Sequence, residues 1–69
     1  MINKIKILRE KAGLTQAELS RKIGVERAYI SRIERNKQQP GLETAIKLAQ
    51  VFNCKIDDLF IKNKSKTIA

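Results

Sequence analysis

One glycine, Gly24, and the residues spaced around it constrain this chain more than any other feature. Ser20 lies four residues before it, and Leu19 and Ile23 fall on one helical face ahead of it. Val25 follows as a plug, and Ile30 and Ile33 fall on the inward face of the segment behind it. Two helices crossing near a right angle need a small side chain where their backbones approach. They also need a residue that tolerates positive φ at the corner, and apolar groups to lock the angle. The stretch from Gln16 to Arg35 supplies all of these. Its spacing predicts two short helices joined by a stiff corner, with one side of the second helix left outward.

The rest of the chain also reads as short helices. Apolar residues recur at three and four, not at two, between Gly13, Gly24, Pro40 and Gly41, with Asn53 as a further stop. Ile2, Ile5, Leu8 and Ala12 form the first stripe, which Gly13 ends as a left-handed cap. Thr15-Gln16-Ala17-Glu18 has the form of a capping box, with Leu14 and Leu19 placed for a hydrophobic staple. The second helix should run to Ile23 and the third from about Arg27 to Arg35. Asn36 to Gly41 reads as a loop, with Gly41 a permissive cap for a fourth helix starting near Leu42. The inward stripe of that helix is expected at Leu42, Ala45, Ile46, Ala49 and Phe52. A fifth short helix is expected over about Ile56 to Phe60, with Asp57 and Asp58 near its positive end. Five short helices with tight connections make an all-α bundle.

Composition narrows the function. The 69 residues hold 15 Lys+Arg against 7 Asp+Glu, a formal net charge of +8, so an anionic partner is expected, with nucleic acid foremost. The length allows one domain, placed at residues 1–61, with 62–69 a basic mobile tail. No apolar run approaches the roughly 18 residues of a membrane span. No secretory signal is visible after Met1. With no His and one cysteine, Cys54, a Cys–His zinc site, a His-based triad and an internal disulfide are all excluded. Cys54 reads as an ordinary half-buried loop residue, and a reducing cytoplasm is the expected setting. No metal, cofactor or small-molecule effector is expected.

Four blocks carry a resemblance: Leu14 to Ser20, Tyr29 to Lys37, Pro40 to Thr44, and Ile56 to Phe60. With them the chain resembles the Cro/phage-repressor (Xre) family of helix-turn-helix DNA-binding proteins over about Ile5 to Phe60. The resemblance implies a compact five-helix, lambda-repressor-like domain whose second and third helices form the motif. It implies a bacterial or phage transcriptional regulator of repressor type. Such a protein binds double-stranded DNA as a homodimer on a roughly palindromic operator, with half-sites one helical turn apart.

On a helical wheel Ile30, Ile33 and Glu34 share one face of the third helix, and Ala28, Ser31, Arg32 and Arg35 lie opposite. The resemblance implies base-edge contacts for Arg27, Ala28 and Arg32, and a phosphate contact for Gln16. Arginine suits guanine through a bidentate fork, and Ala28 suits a thymine methyl. Tyr29, Ser31, Arg35, Asn36 and Lys37 are candidates for the phosphate backbone. The plainer reading makes Arg27, Arg32, Arg35 and Lys37 a solvated basic surface, and Tyr29 a packing residue with its hydroxyl outward. Glu26 departs from the family pattern, which places Ser or Thr there as a cap. It either reads a cytosine or folds back onto Arg27. Glu34 on the inward face is a lone charge that burial would penalise. The resemblance pairs it with Arg9 as a structural ion pair.

Val51, Phe52, Ile56, Leu59, Phe60 and Ile61 are more apolar than a small monomer easily hides, and they are the expected dimer surface, although some must close the core. The main competing reading is an antitoxin or other protein-interaction module. A cationic membrane-binding helix would need neither caps nor a glycine turn. Asp57 and Asp58 are adjacent, so they diverge on a helix and make a poor acid/base pair, and no enzyme is expected. The deep, narrow A-form major groove of structured RNA would not admit the third helix.

Overall fold

The computed structural model describes residues 3–60. Four α-helices follow one another: α1 (Ile5–Lys11), α2 (Gln16–Ile23), α3 (Arg27–Glu34) and α4 (Leu42–Val51). Where a fifth α-helix was expected there is a single 3₁₀ turn, Ile56–Leu59. Its four residues are too few to propagate α-helical hydrogen bonds, and the tighter pattern closes the segment. Lys55 donates its backbone N–H to Asp58 Oδ2 at 3.1 Å at the start of the turn. The expected tail and the outermost apolar positions Ile2 and Ile61 lie outside the described residues.

The four α-helices stop in the same way. Gly13, Gly24, Asn36 and Asn53 all have positive φ, between 53° and 75°. Beyond each, the next amide reaches back five residues: Leu14 to the Arg9 carbonyl, Val25 to Ser20, Lys37 to Arg32 and Cys54 to Ala49, at 2.9–3.1 Å. This six-to-one bond consumes a carbonyl that would otherwise be left unpaired at the helix end. Glycine reaches this backbone region without strain, and asparagine is the side chain that best tolerates it. Asn36 thus ends α3, a role not read from the sequence, where it was only the first loop residue.

Starts are less uniform. The Thr15 hydroxyl accepts from the Glu18 amide at 3.0 Å, and Glu18 Oε1 accepts from the Thr15 amide at 2.9 Å, completing the capping box. The second of these bonds, from the Thr15 amide to the Glu18 carboxylate, is the main cause holding that carboxyl below its ordinary range. Gly41, Tyr29 and α4 are joined differently: the Tyr29 hydroxyl accepts the Gly41 N–H at 3.2 Å, tying the residue before α4 to α3.

The core comprises Ile5, Leu19, Ile23, Ile30, Ile33, Ala45, Leu48, Ala49 and Leu59. Ser20 is buried among them, its hydroxyl donating to the Ala17 carbonyl at 2.8 Å, so the close approach of α2 and α3 costs no unpaired polar atom. Two stripe assignments need correction. On α4, Leu42 is 73% and Ile46 41% exposed, while Leu48 is fully buried. The helix is rotated so that Ala45, Leu48 and Ala49 face inward, because two alanines allow close contact and Leu48 fills the centre. Ala12, expected inward on α1, is exposed at the helix end.

The segment before α1 closes the other side. Lys4 N–H donates to the Leu59 carbonyl at 2.7 Å, and Asn3 pairs with Phe60 in an isolated antiparallel bridge. Asn3 Nδ2 also donates to the Ile33 carbonyl at 2.8 Å and to Asn36 Oδ1 at 3.2 Å. Asn3 therefore links the end of α3 through its side chain to Phe60 through its backbone.

Candidate nucleic-acid interface

α3 is held at an angle to α2 by Gly24 and by Ile30 and Ile33, each fully buried beneath it. Its other side is outward: Arg27, Ala28, Arg32 and Arg35 are exposed, with Lys37 exposed just beyond. Glu26, extended at φ −79° and ψ 148°, precedes the helix without a side-chain capping bond. Glutamate's extra methylene makes it a poor cap, which fits the absence of that bond.

Arg27 does not fold against Glu26. Its Nη1 donates to Gln16 Oε1 at 3.2 Å, and Gln16 Nε2 donates in turn to Glu34 Oε1 at 3.0 Å. Glu34 also accepts from Arg9 Nε at 2.7 Å and Arg9 Nη2 at 3.2 Å. Arg9 spends Nη1 on the Leu14 carbonyl at 2.8 Å. The Arg9 and Glu34 side chains are 11% and 3% exposed. The Glu34 hydrogen bond is the main cause raising the Arg9 pKa above its ordinary range, against the opposing effect of burial. A bidentate pair in which each guanidinium nitrogen also has a partner is the geometry in which a buried charge pair is tolerated. The resulting relay, Arg9–Glu34–Gln16–Arg27, runs from α1 beneath the motif to its outer face. Gln16 is thus half-buried and already engaged, not simply extended toward solvent.

At the other end of α3, Arg32 Nε donates to Gln38 Oε1 at 2.8 Å, and the Arg32 guanidinium carbon lies 6.0 Å from the Tyr29 ring centroid. Tyr29 is half-buried against the core with its hydroxyl at Gly41, so it both packs and presents a polar tip. Arg35 Nε reaches the Ser31 carbonyl at 3.4 Å, and Ser31 itself is half-buried. Asn36, exposed, takes part in the Asn3 clasp. Gln38 was missed by sequence reasoning, because no helical periodicity relates a loop residue to one six positions earlier.

Of the expected dimer surface, Leu59 is fully enclosed and belongs to the core. Val51, Phe52, Ile56 and Phe60 are partly buried against it. Cys54 is half-buried, and burial is the main cause raising its thiol pKa, which leaves it a poor nucleophile. Among the described residues no three Cys, Asp or Glu side chains gather as a metal ion would require, and no helix is long and apolar enough to cross a membrane.

Comparison with known proteins places this geometry. The family described as Helix-turn-helix matches residues 5–59. An uncharacterized HTH-type transcriptional regulator of Archaeoglobus fulgidus is 48% identical over 61 residues, covering 88% of this chain and 87% of the relative. Antitoxin HipB of Escherichia coli O6:H1 is 35% identical over 69 residues, covering 100% of this chain and 73% of its own length. Among solved structures, the P22 c2 repressor in complex with a synthetic operator superposes with a TM-score of 0.80 at 30% identity, covering 87% of this chain and 91% of that one.

Proposed function

The chain belongs to the helix-turn-helix family over residues 5–59, and from that premise we propose a sequence-specific double-stranded DNA-binding regulator of transcription, acting as a repressor. The observation that carries this reading is the exposed row Arg27, Ala28, Arg32 and Arg35 on a helix whose opposite side is sealed by Ile30 and Ile33. A rigid, cationic, outward helix is what a B-form major groove accepts. Arg27, Ala28 and Arg32 read base edges, and Glu26 beside them faces a cytosine amino group. Gln16, Tyr29, Ser31, Arg35, Asn36 and Lys37 serve the phosphates. Gln16 does so as the link of the relay that orients Arg27, and Tyr29 through the hydroxyl proton that Gly41 leaves free.

The protein acts as a homodimer in the cytoplasm, on a roughly palindromic operator. Support for the dimer comes from α4: Leu42 and Ile46 are exposed large apolar residues, and Ile46 and Ile56 border one open groove. That surface replaces Leu59 in the expected interface.

The test is selection of bound sequences from a randomised duplex pool, followed by titration of the selected duplex at several salt concentrations. A two-fold symmetric consensus is expected. With Arg35 and Lys37 as the cationic phosphate ligands of each protomer, a fourfold rise in salt should lower the dimer's affinity on the order of 10²-fold. Recovery of unselected sequence, or affinity indifferent to salt, would reject the reading. The HipB similarity supports a second reading, an antitoxin whose main partner is another protein. That reading requires stable co-purification of an unrelated chain and DNA binding that depends on it.

A further inference from the structure

We propose that Gln38, in the loop between α3 and α4, is a specificity-determining residue that acts on bases through Arg32. This deepens the DNA-reading assignment and rests on it. Gln38 Oε1 accepts the Arg32 Nε–H at 2.8 Å, and the guanidinium lies at 6.0 Å over the Tyr29 ring. Both partners of Arg32 are anchored. Tyr29 is packed against the core, and its hydroxyl takes the Gly41 N–H at 3.2 Å, which fixes the far end of the loop that carries Gln38. The near end is fixed where the Lys37 N–H returns to the Arg32 carbonyl at 2.9 Å.

The chemistry follows from the donor geometry of the guanidinium. Arginine has five N–H groups arranged as a side fork, Nε with one Nη, and an end fork made of both Nη groups. With Nε committed to Gln38, the side fork is spent. The end fork remains, on an exposed side chain, and a bidentate end fork matches the O6 and N7 acceptors of guanine. A long exposed arginine with no such tie would lose rotamer entropy on engaging a base and would accept alternative acceptors, phosphates included. Gln38 therefore narrows what Arg32 can bind without touching a base itself.

The experiment compares the wild-type protein with Gln38→Ala, Arg32→Ala, the double variant and Gln38→Glu. Each is passed over the same randomised duplex pool, and affinity is then measured on the wild-type consensus duplex and on single-base variants of it. Gln38→Ala should weaken discrimination about threefold to tenfold, at the base pair that Arg32→Ala affects, as expected for one hydrogen bond. Affinity for unrelated duplex should stay within about twofold, and the double variant should discriminate no worse than Arg32→Ala. Gln38→Glu keeps an acceptor oxygen and should keep the base preference, while lowering affinity for every sequence at low salt.

A uniform loss across sequences in Gln38→Ala would overturn the inference, because it would mark Gln38 as a phosphate ligand. So would a loss of discrimination at a base pair that Arg32→Ala leaves alone. If Arg32→Ala leaves base preference intact while the wild-type protein selects a consensus, the Arg32 assignment fails and the inference with it, although DNA reading survives. If the wild-type protein selects nothing, DNA reading itself fails. Because Gln38 is exposed, its removal should leave the thermal transition within about 2 °C, which separates positioning from unfolding.

Discussion

Replacing Glu34 by Gln keeps the shape of the side chain and removes its charge, at the place where α1, α2 and α3 meet. The Glu34 carboxylate accepts three N–H groups, two from Arg9 and one from Gln16, at 2.7–3.2 Å. An amide offers one acceptor oxygen in place of two, so at least one of these donors loses its partner. A buried donor left unpaired costs about 1–3 kcal/mol, and loss of the charge-assisted component adds to this. We expect Glu34→Gln to lose about 2–3 kcal/mol at pH 7, measured by urea denaturation followed by circular dichroism. At about 4–8 °C per kcal/mol in a domain of this size, that is a fall in Tm of about 8–24 °C.

Arg9→Ala should cost more, about 3–5 kcal/mol, because it strands a carboxylate whose side chain is 3% exposed. A chain of this length has only about 3–10 kcal/mol of total stability. That loss is therefore about a third of the total or more. The double variant Arg9→Met, Glu34→Leu should be more stable than Arg9→Ala, since neither charge remains to be desolvated. A Glu34→Gln loss below about 0.5 kcal/mol, or a double variant no better than the sum of the two single truncations, would show that the pair behaves as a solvated surface bridge.

Three further outcomes are expected. Thr15→Ala should destabilise by about 1 kcal/mol in chemical denaturation, through loss of the cap. The bond from the Thr15 amide to the Glu18 carboxylate should be intact above the ordinary glutamate value of 4.5 and fade as pH falls through the lowered value in the folded chain, whereas the Thr15→Ala deficit, which comes from a hydroxyl accepting a backbone N–H, should largely persist in acid. At Gly24 a Cβ would meet nothing within 4 Å, so Gly24→Ala should cost only the left-handed strain of about 1–2 kcal/mol, and Gly24→Asn less, by the same denaturation assay. Lys37→Ala should weaken binding to all duplexes about equally and reduce the salt slope by about one, in the titrations that test DNA binding.

The sequence determined what is local. The capping box at Thr15, the left-handed stop at Gly24 and the sealing of Ile30 and Ile33 follow from hydrogen-bonding capacity, backbone freedom and helical period, all of which act within a few residues. The outward row from Arg27 to Arg35 followed from the same wheel. Tertiary structure decided what needs two distant segments to meet. The rotation of α4 that exposes Leu42 and buries Leu48 is set by what the neighbouring elements leave open, which no periodicity within α4 contains. The relay through Gln16, the tie between Gln38 and Arg32, and the Asn3 clasp on α3 join residues whose separation in sequence carries no pattern. Polar side chains on flexible stems announce no partner until the backbone is placed, because which donor meets which acceptor depends on distances of an ångström or less.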